Sequence, residues 1–564
     1  MRSTCGRKTR WRRARRLGIA VAILGALDVV SAFTPGLREH VDAIAAIFTP
    51  GVPDFAAGAT AVIGLVLILL GRGLAQRRRL AFVAATVSLG ASAVTHLLEG
   101  SLIAESVVAL ALLAMLVGNR RLFTVPPCPR HTRALLVIVP GALGLTFVYG
   151  TVGLFLERNG IRPGLSMPLA LREVAARLVG FAGPLRLPDD YVWLPVSLTV
   201  IGALLVAGGA GFLLAPVADH RRRQADERAR IRAMVEHPDG DTLDPFALRT
   251  DKSYVFSPDG RAAVAYRYVR GVGLGSGDPV GAPASFPAAI DAFIAHCDGR
   301  GWRPALLGVR DALLPIYREA GLRAHYLGDE AVIDVASFTL DGRRMRPVRQ
   351  AYNRVSNFGL TTEIRREGEL ARPTRDALRA LAARARHGAP ERGFSMALDG
   401  LLTGRDGDCV VAITFEPDGT PLAFQRYVPC RAGRGLSLDA MRREKRGPNG
   451  VNERMIADVV LWARDHDIDQ VSLNFAFFRA WLDTGAELSR FQSLEAWIVR
   501  RFNPYFQIES LLTFNAKFEP RWVPRYLVYR SIAELGSVAV AAMSAEAFLP
   551  FDRRREVAPE PIAA

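Results

Sequence analysis

The sequence has few residues of the kinds that build metal sites and disulfide frameworks. Its five cysteines are scattered and form no Cys-x-x-Cys pair, so we expect neither a disulfide-stapled fold nor a structural zinc site. Its nine histidines include no His-Glu-x-x-His motif and no pair at ligand spacing. We therefore predict no metal.

Acidic residues are too few to balance the basic ones. Lys and Arg number 72 and Asp and Glu 55, which gives a net charge of +17 and a pI near 10.2. This excess predicts anionic partners: phospholipid, nucleic acid or both. A second explanation stays open, in which the arginines reflect a GC-rich genome and the charge bias of membrane proteins.

Long apolar runs are confined to the N-terminal part, residues 1–220, which we interpret as a polytopic membrane domain. Each of six segments is close to the ~20 apolar residues that cross a bilayer core: 17–33, 55–70, 80–98, 102–117, 134–156 and 192–217. Basic clusters at 12–16, 72–79, 120–121 and 221–223 then fall on one side, which we expect to be cytosolic. Asp28 and Glu105 lie within apolar runs, where an ionisable group either lines a path or reaches the interface.

The remaining chain has an ordinary globular composition and contains an internal repeat. Residues 257–269 align without gaps on residues 416–428, and both copies contain a Pro-Asp-Gly turn between alternating apolar runs. That pattern predicts two β-hairpins. Each copy continues through a Gly-rich segment with an aspartate into a predicted helix (288–297; 452–466) and a buried strand (304–309; 470–475). We expect a duplicated α+β unit.

Chemistry-bearing residues concentrate in the second copy. We expect Asp439 and Arg442 to share the face of a helical turn, since they are three residues apart. A carboxylate can hold an amine or take a proton, and a guanidinium suits phosphate; the alternative is a capping aspartate with a surface ion pair. Residues 502–530 interleave aromatic with basic side chains, which is typical of single-stranded nucleic acid binding or of a core strand with a basic rim.

Several ordered motifs resemble the aminoacyl-phosphatidylglycerol synthases, the phosphatidylglycerol lysyltransferase or multiple peptide resistance factor family. They are Glu391-Arg-Gly-Phe-Ser-Met396, Ser437-Leu-Asp-Ala-Met-Arg-Arg443 with Gly447-Pro-Asn-Gly-Val451, Val471-Ser-Leu-Asn-Phe-Ala476, and the segment from Phe506-Gln-Ile-Glu-Ser510 to Pro524-Arg-Tyr526. The resemblance covers most of residues 251–529. It implies an α-helical membrane domain plus a cytosolic α+β domain of tandem GNAT-like (acetyltransferase-like) folds: a linker helix and first subdomain at 221–345, a catalytic second subdomain at 346–555, and a disordered tail at 556–564.

The resemblance also implies the site. Asp439 and Arg442 match the active-site pair of the family and Lys517 matches its essential lysine; the expected substrate-binding residues are Glu391, Arg443, Asn515, Lys252 and Arg525. Asp439 would hold the substrate amine or take the lipid hydroxyl proton. Arg442 would bind a phosphate, and Lys517 the terminal tRNA phosphate or the developing oxyanion.

The implied activity is aminoacyl transfer, with lysyl or alanyl as the expected group, from aminoacyl-tRNA to the glycerol hydroxyl of phosphatidylglycerol. It would take place at the cytosolic face of a bacterial cell membrane, with no cofactor besides the tRNA co-substrate, and would confer resistance to cationic antimicrobial peptides. About six spans, fewer than full-length family members carry, leave product flipping open, and no fused lysyl-tRNA synthetase domain is recognised. A homo-oligomer, a Fem-like transferase acting on a cell-wall precursor lipid, and a lipid transporter with a non-catalytic soluble domain also stay open.

Overall fold

The computed structural model describes most of the chain. The described residues are 2–33, 52–98, 103–125, 129–156, 164–188, 193–213, 225–386, 393–475 and 508–548, together with 161, 191 and 388. The chain forms two compact units, one of residues 1–218 with 298–302 and one of residues 219–297 with 303–564. The predicted tail at 556–564 lies outside the described residues.

The first unit is helical. Its helices are α1 (Arg2–Phe33), α2 (Val52–Ala75), α3 (Arg79–Leu98), α4 (Ile103–Gly118), α5 (Pro129–Leu156), α6 (Met167–Leu178) and α7 (Trp193–Leu213). Each of the six predicted spans overlaps one of these helices, and α6 lies between the fifth and sixth spans. Within the described residues, one helical segment, Val137–Leu156, is long and apolar enough to cross a membrane.

Glycines let α1 and α2 pack with their backbones in contact. A side chain at Gly18 would meet the backbone oxygen of Gly71, and one at Gly25 would meet that of Gly64. The two glycines on each helix are seven residues apart, about two helical turns, so both contacts lie on one seam. Beside this seam Asp28 is buried and accepts a hydrogen bond from Ser92 on α3 (3.3 Å).

The second unit is built around one mixed sheet. Its strands are β1 (Ser253–Phe256), β2 (Ala262–Val269), β3 (Val272–Ser276), β4 (Val280–Gly281), β5 (Arg303–Arg310), β6 (Arg323–Asp334), β7 (Thr361–Arg366), β8 (Val410–Phe415), β9 (Pro421–Cys430), β10 (Gly435–Arg443), β11 (Gln470–Phe475) and β12 (Arg521–Tyr529). The order is β1-β2-β3-β5-β12-β6-β11-β10-β9-β8-β7, with β4 pairing β2. The helices are α8 (Ala225–Val235), α9 (Phe286–Arg300), α10 (Leu314–Glu319), α11 (Arg346–Asn357), α12 (Arg372–Arg386), α13 (Val451–Arg464), α14 (Ile508–Ala516) and α15 (Ile532–Ala545).

The two halves of this sheet repeat one order of elements. Hairpin β1–β2 leads through β3 and α9 to β5, and hairpin β8–β9 leads through β10 and α13 to β11. β3 and β10 are each antiparallel to the second strand of the preceding hairpin and parallel to the strand that follows the helix. The hairpins predicted from the Pro-Asp-Gly turns are confirmed. The predicted boundary at 345/346 and the GNAT-like assignment of each half stay predictions.

The halves are joined by an exchange of strands at the centre of the sheet. β12, from the second half, pairs with β5 of the first half, and β6, from the first half, pairs with β11 of the second. β12 and β6 pair with each other between them. The aromatic and basic segment 502–530 therefore ends in a central strand, and its residues 502–507 lie outside the described residues.

Candidate functional site

The candidate site lies where strands β10 and β11 separate. These parallel strands pair only from Gly435 to Ser437 on β10 and from Gln470 to Ser472 on β11, although β10 continues to Arg443. A β-bulge interrupts β10 just beyond this point, and Asp439 is the extra residue, since Leu438 pairs with Tyr427 and Ala440 with Arg426. Bulges commonly re-aim a side chain next to an active site.

Asn474 spans the gap between the separating strands. It has a left-handed backbone, with φ of 63°, at a second irregularity between β11 and β6. Its side-chain amide donates to the backbone oxygens of Leu438 and Met396, the latter at 3.3 Å. Asparagine tolerates this backbone region better than most residues, and such strain clusters at functional sites.

The carboxylate of Asp439 is fixed by two donors. One oxygen accepts the backbone N–H of Leu398 (2.7 Å) and the other accepts a guanidinium N–H of Arg426 (2.6 Å). Arg426 is fully buried in β9 and also bonds Glu367 (2.7 Å). Burial alone would lower the pKa of Arg426, but the negative charges of Asp439 and Glu367 raise it above its ordinary value. The Asp439 carboxylate is thus held as one member of a buried ion network.

Residues 393–399, here called the bridging loop, supply the Leu398 donor and are themselves held from three sides. Glu546, which ends α15, accepts the N–H groups of Phe394 (2.6 Å) and Ser395 (3.0 Å) and the hydroxyl of Ser395 (2.6 Å). Thr250 donates its N–H to Asp399 (2.9 Å), and Arg249 donates to Gly393 and Ala397. Asn474 holds Met396. The position of Asp439 therefore depends on both halves of the sheet.

Arg442 lies on the same strand as Asp439, not on a helix. The predicted helical turn is wrong, because residues 435–443 are all in β10 and pair with β9. The predicted shared face is nevertheless found. Arg442 pairs with Phe424, two residues from Arg426, and cross-strand partners point to the same side of a sheet. The bulge at Asp439 brings its carboxylate to that side as well. Arg443 ends the strand and donates to the backbone oxygen of Pro448 (3.4 Å).

Lys517 lies on the other face of the sheet. It donates to Glu453 of α13 (2.8 Å). α13 and α12 pack on alternating residues of β8, so these two helices lie on opposite faces of the sheet. Asn515, two residues earlier at the end of α14, is buried. The structure thus places Asp439 and Arg442 on one face of β10 and Lys517 with α13, so a role for Lys517 in the same reaction stays a prediction.

Two other predicted substrate-binding residues are deeply buried. Lys252 donates to the Phe246 backbone oxygen (2.6 Å) and to Ser276 (2.5 Å), and desolvation lowers its pKa to about 7. Arg525 of β12 bonds Asp241 (2.6 and 2.9 Å) and Glu330 (2.9 Å). These contacts tie the exchanged strands together and do not support a substrate contact by Arg525. Glu391 lies outside the described residues.

The sequence reasoning missed Arg426 and Glu367, and it quoted the motifs that contain Asn474 and residues 393–396 without giving them a role. A signal for Arg426 was available: it is a charged residue within a buried strand, and the repeat aligns it with Arg267 of the first hairpin. Glu367 and Leu398 are 59 and 41 residues from their partners and carried no comparable local pattern.

The arrangement can bind a substrate that carries both charges. The carboxylate of Asp439, oriented by Leu398 and Arg426, is a group of the kind that holds an ammonium or hydroxyl group. The guanidinium of Arg442 on the same side suits a phosphate or a developing oxyanion. The site therefore fits the joining of an amine-bearing group to a phosphate-bearing one.

Comparison with known proteins agrees with this chemistry. Residues 231–529 match the family "Phosphatidylglycerol lysyltransferase, C-terminal". The chain is 35% identical over 566 residues to the "Lysylphosphatidylglycerol biosynthesis bifunctional protein LysX" of Mycobacterium marinum, covering 96% of this chain and 50% of that protein. It is 37% identical over 517 residues to the protein of that name from Mycobacterium tuberculosis, covering 87% and 43%. The chain thus spans about half the length of these curated relatives.

Solved structures share the fold of the second unit. The structure of L-PGS from Bacillus licheniformis matches 59% of this chain and 99% of its own, with a TM-score of 0.52 and 22% identity. The C-terminal domain of a putative lysylphosphatidylglycerol synthetase from Agrobacterium fabrum matches 57% and 96%, with a TM-score of 0.50 and 24% identity.

Proposed function

Because the chain belongs to the phosphatidylglycerol lysyltransferase C-terminal family, we propose that it is an aminoacyltransferase that moves an aminoacyl group from aminoacyl-tRNA to the glycerol hydroxyl of phosphatidylglycerol. The observation that supports this most directly is the anchored carboxylate of Asp439 beside Arg442 at the split between β10 and β11. One substrate carries an α-ammonium group and the other a phosphodiester, which are the two charges that this pair complements.

The reaction needs positioning and charge stabilisation more than strong acid–base chemistry. The lipid hydroxyl oxygen attacks the ester carbonyl carbon, a new ester bond forms, and the bond to the terminal ribose oxygen breaks. The proton lost by the lipid hydroxyl balances the proton that the ribose oxygen takes up. Asp439 holds the α-ammonium group with a carboxylate that Leu398 and Arg426 orient. Arg442 holds the lipid phosphate, and Lys517, which pairs with Glu453 on the other face of the sheet, contacts the tRNA end and not the oxyanion.

The setting of this reaction is part of the proposal. The two halves of the sheet are tandem acetyltransferase-like folds that use a tRNA ester in place of an acyl-CoA. The first unit is a multi-pass membrane domain, the second unit is cytosolic, and lipid and tRNA meet at the membrane surface. Large apolar side chains such as Val137, Leu145 and Leu156 on α5 and Leu204 on α7 are more than half exposed, as lipid-facing residues are. Transfer of a lysyl group would reduce the negative charge of the membrane and the binding of cationic antimicrobial peptides.

The test is transfer of radiolabel from aminoacyl-tRNA to extracted lipid, with membranes that contain the full chain. We expect label in phosphatidylglycerol, lost when the tRNA is digested by RNase before the incubation. Label in a cell-wall precursor lipid would instead indicate a Fem-like transferase, whose acceptor is that lipid. No label with lysyl- or alanyl-tRNA, from protein shown to be folded, would contradict the proposal and favour a non-catalytic role.

A further inference from the structure

One end of the sheet carries a concentration of positive charge. Residues 343–386 contain twelve arginines and four acidic residues, which is a large part of the +17 net charge of the chain. The corresponding approach to the first hairpin, residues 225–252, contains five basic and seven acidic residues. The charge is therefore a property of the second half and not of the repeated fold.

The fold turns this charge outward around the last strand. β7 ends the sheet, α11 packs on one face and α12 on the other, and both helices bury their apolar sides, through Val348 and Val355 and through Leu378 and Leu381. Exposed arginines of these three elements form what we call the edge surface: Arg346, Arg354, Arg365, Arg366, Arg372 and Arg379. The side chains of Arg365, Arg372 and Arg379 are 56%, 88% and 53% exposed.

The edge surface is continuous with the candidate site. Glu367, the residue after Arg366, turns inward and bonds Arg426, which holds Asp439. At its other end α12 meets the residue after β10, where Arg384 pairs with Glu444 (2.9 Å). A polyanion bound along α12 would thus extend from the exposed arginines to the end of β10, the strand that carries Asp439 and Arg442.

We propose that the edge surface binds the phosphate backbone of the RNA donor, a proposal that rests on the function proposed above. Surface pairs such as Arg365–Glu363 and Arg379–Asp376 hold these arginines weakly, because an exposed ion pair contributes little free energy and is screened by salt. RNA is favoured over a membrane because α11 and α12 bury their apolar sides against the sheet, and Phe358 is the one large apolar side chain exposed within residues 343–386. Arginine also binds phosphate bidentately.

The test compares two triple variants of the full chain in detergent or nanodiscs. The first is Arg365→Gln with Arg372→Gln and Arg379→Gln. The matched control removes the same charge from exposed positions of the first half, Arg261→Gln with Arg318→Gln and Arg323→Gln. The probe is fluorescent, unacylated tRNA, titrated between about 50 and 200 mM salt, where phosphate contacts dominate affinity.

We expect the first triple to weaken tRNA binding by about tenfold or more and to reduce the salt slope by about two to three, with the control within about twofold of wild type. Equal effects of both triple variants on tRNA binding, or no effect of the first, would contradict the proposal that the edge surface binds RNA. So would a first triple that binds tRNA normally but loses binding to vesicles of phosphatidylglycerol and phosphatidylcholine, which would identify a membrane contact. If wild type binds no tRNA and its transfer resists RNase, the proposed function fails. If wild type binds tRNA and its transfer is sensitive to RNase, but the first triple does not differ from the control, only the proposal for the edge surface fails.

Discussion

The two halves of the sheet place an aspartate at the same point and surround it differently. In each, the parallel strand pair ends at a serine, Ser276 or Ser437, and the aspartate lies two residues later. Asp278 is sealed by Arg310 (2.9 Å) and the Tyr317 hydroxyl (3.1 Å). Burial raises the pKa of Asp278, helped by the charge of Asp241 and opposed by Arg310. The same backbone position thus carries a buried, ion-paired aspartate in both halves, and the partners differ: Arg310 and Tyr317 in one, Arg426 and the bridging loop in the other.

The difference arises from the length of the strand around the aspartate. β3 ends at Ser276, whereas β10 continues past its bulge for four more residues and carries Arg442 beside Asp439. A duplicated fold can therefore keep its scaffold in both halves and develop a site in one. Four measurements test whether the halves differ in this way.

The largest contrast is expected from the two aspartates. Asp439→Asn removes the charge that holds the ammonium group, and we expect lipid aminoacylation to fall by about 10² to 10³. Asp278→Asn keeps the shape of a group that touches no substrate, with one of its two acceptor oxygens, and we expect activity within about fivefold of wild type. Label transfer to lipid, with melting curves for both variants, measures this. A folded Asp278→Asn as inactive as Asp439→Asn would remove the distinction between the halves.

The aligned arginines should differ in stability. Arg426→Met leaves Asp439 and Glu367 buried without their counter-charge. We expect the free energy of unfolding to fall by about 3 to 5 kcal/mol. Arg267→Met removes a partly exposed side chain whose partner, Asp251, also pairs with Arg249. We therefore expect the free energy of unfolding to fall by about 1 kcal/mol. Thermal or denaturant unfolding of the second unit checks both. Equal losses would mean that the two networks are equivalent.

The bridging loop should transmit a change from α15 to Asp439. Glu546→Gln keeps one acceptor oxygen where the loop uses both, and we expect kcat to fall by about tenfold with a nearly constant KM for lipid. The control is Glu534→Gln, on the same helix and away from the loop contacts. A Glu546→Gln enzyme with a changed KM and normal kcat would argue against positioning of Asp439.

The last prediction concerns the pH dependence of stability that Lys252 gives the first half. Its pKa is lowered to about 7 from an ordinary value of 10.5, so the unfolded chain binds more protons above pH 7. Stability should therefore rise with pH between about 7 and 10, by up to about 1.4 kcal/mol per unit from this group. Lys252→Met should flatten the rise in unfolding midpoints over that range. A wild type and variant with parallel pH profiles would show that Lys252 stays charged in the fold.

The sequence predicted the features that depend on local pattern and missed those that depend on distant partners. The Pro-Asp-Gly hairpins and the amphipathic helices could be predicted from turn chemistry and periodicity. The error at residues 435–443 arose because Asp439 and Arg442 have helical spacing, which pairing with β9 overrides. The companions of Asp439 come from β9, the bridging loop and the turn after β7, and no spacing rule connects these segments.

The exchange of β12 and β6 has a consequence for biosynthesis. Arg310 of β5 pairs with Arg525 of β12, about 215 residues later, so one edge of the first half stays without its neighbour until the second half has been translated. Such late, non-local pairing slows folding and exposes a strand edge to aggregation in the meantime. The halves repeat each other in form, but neither completes its own sheet, and the nascent chain becomes one cooperative unit only when β12 is inserted.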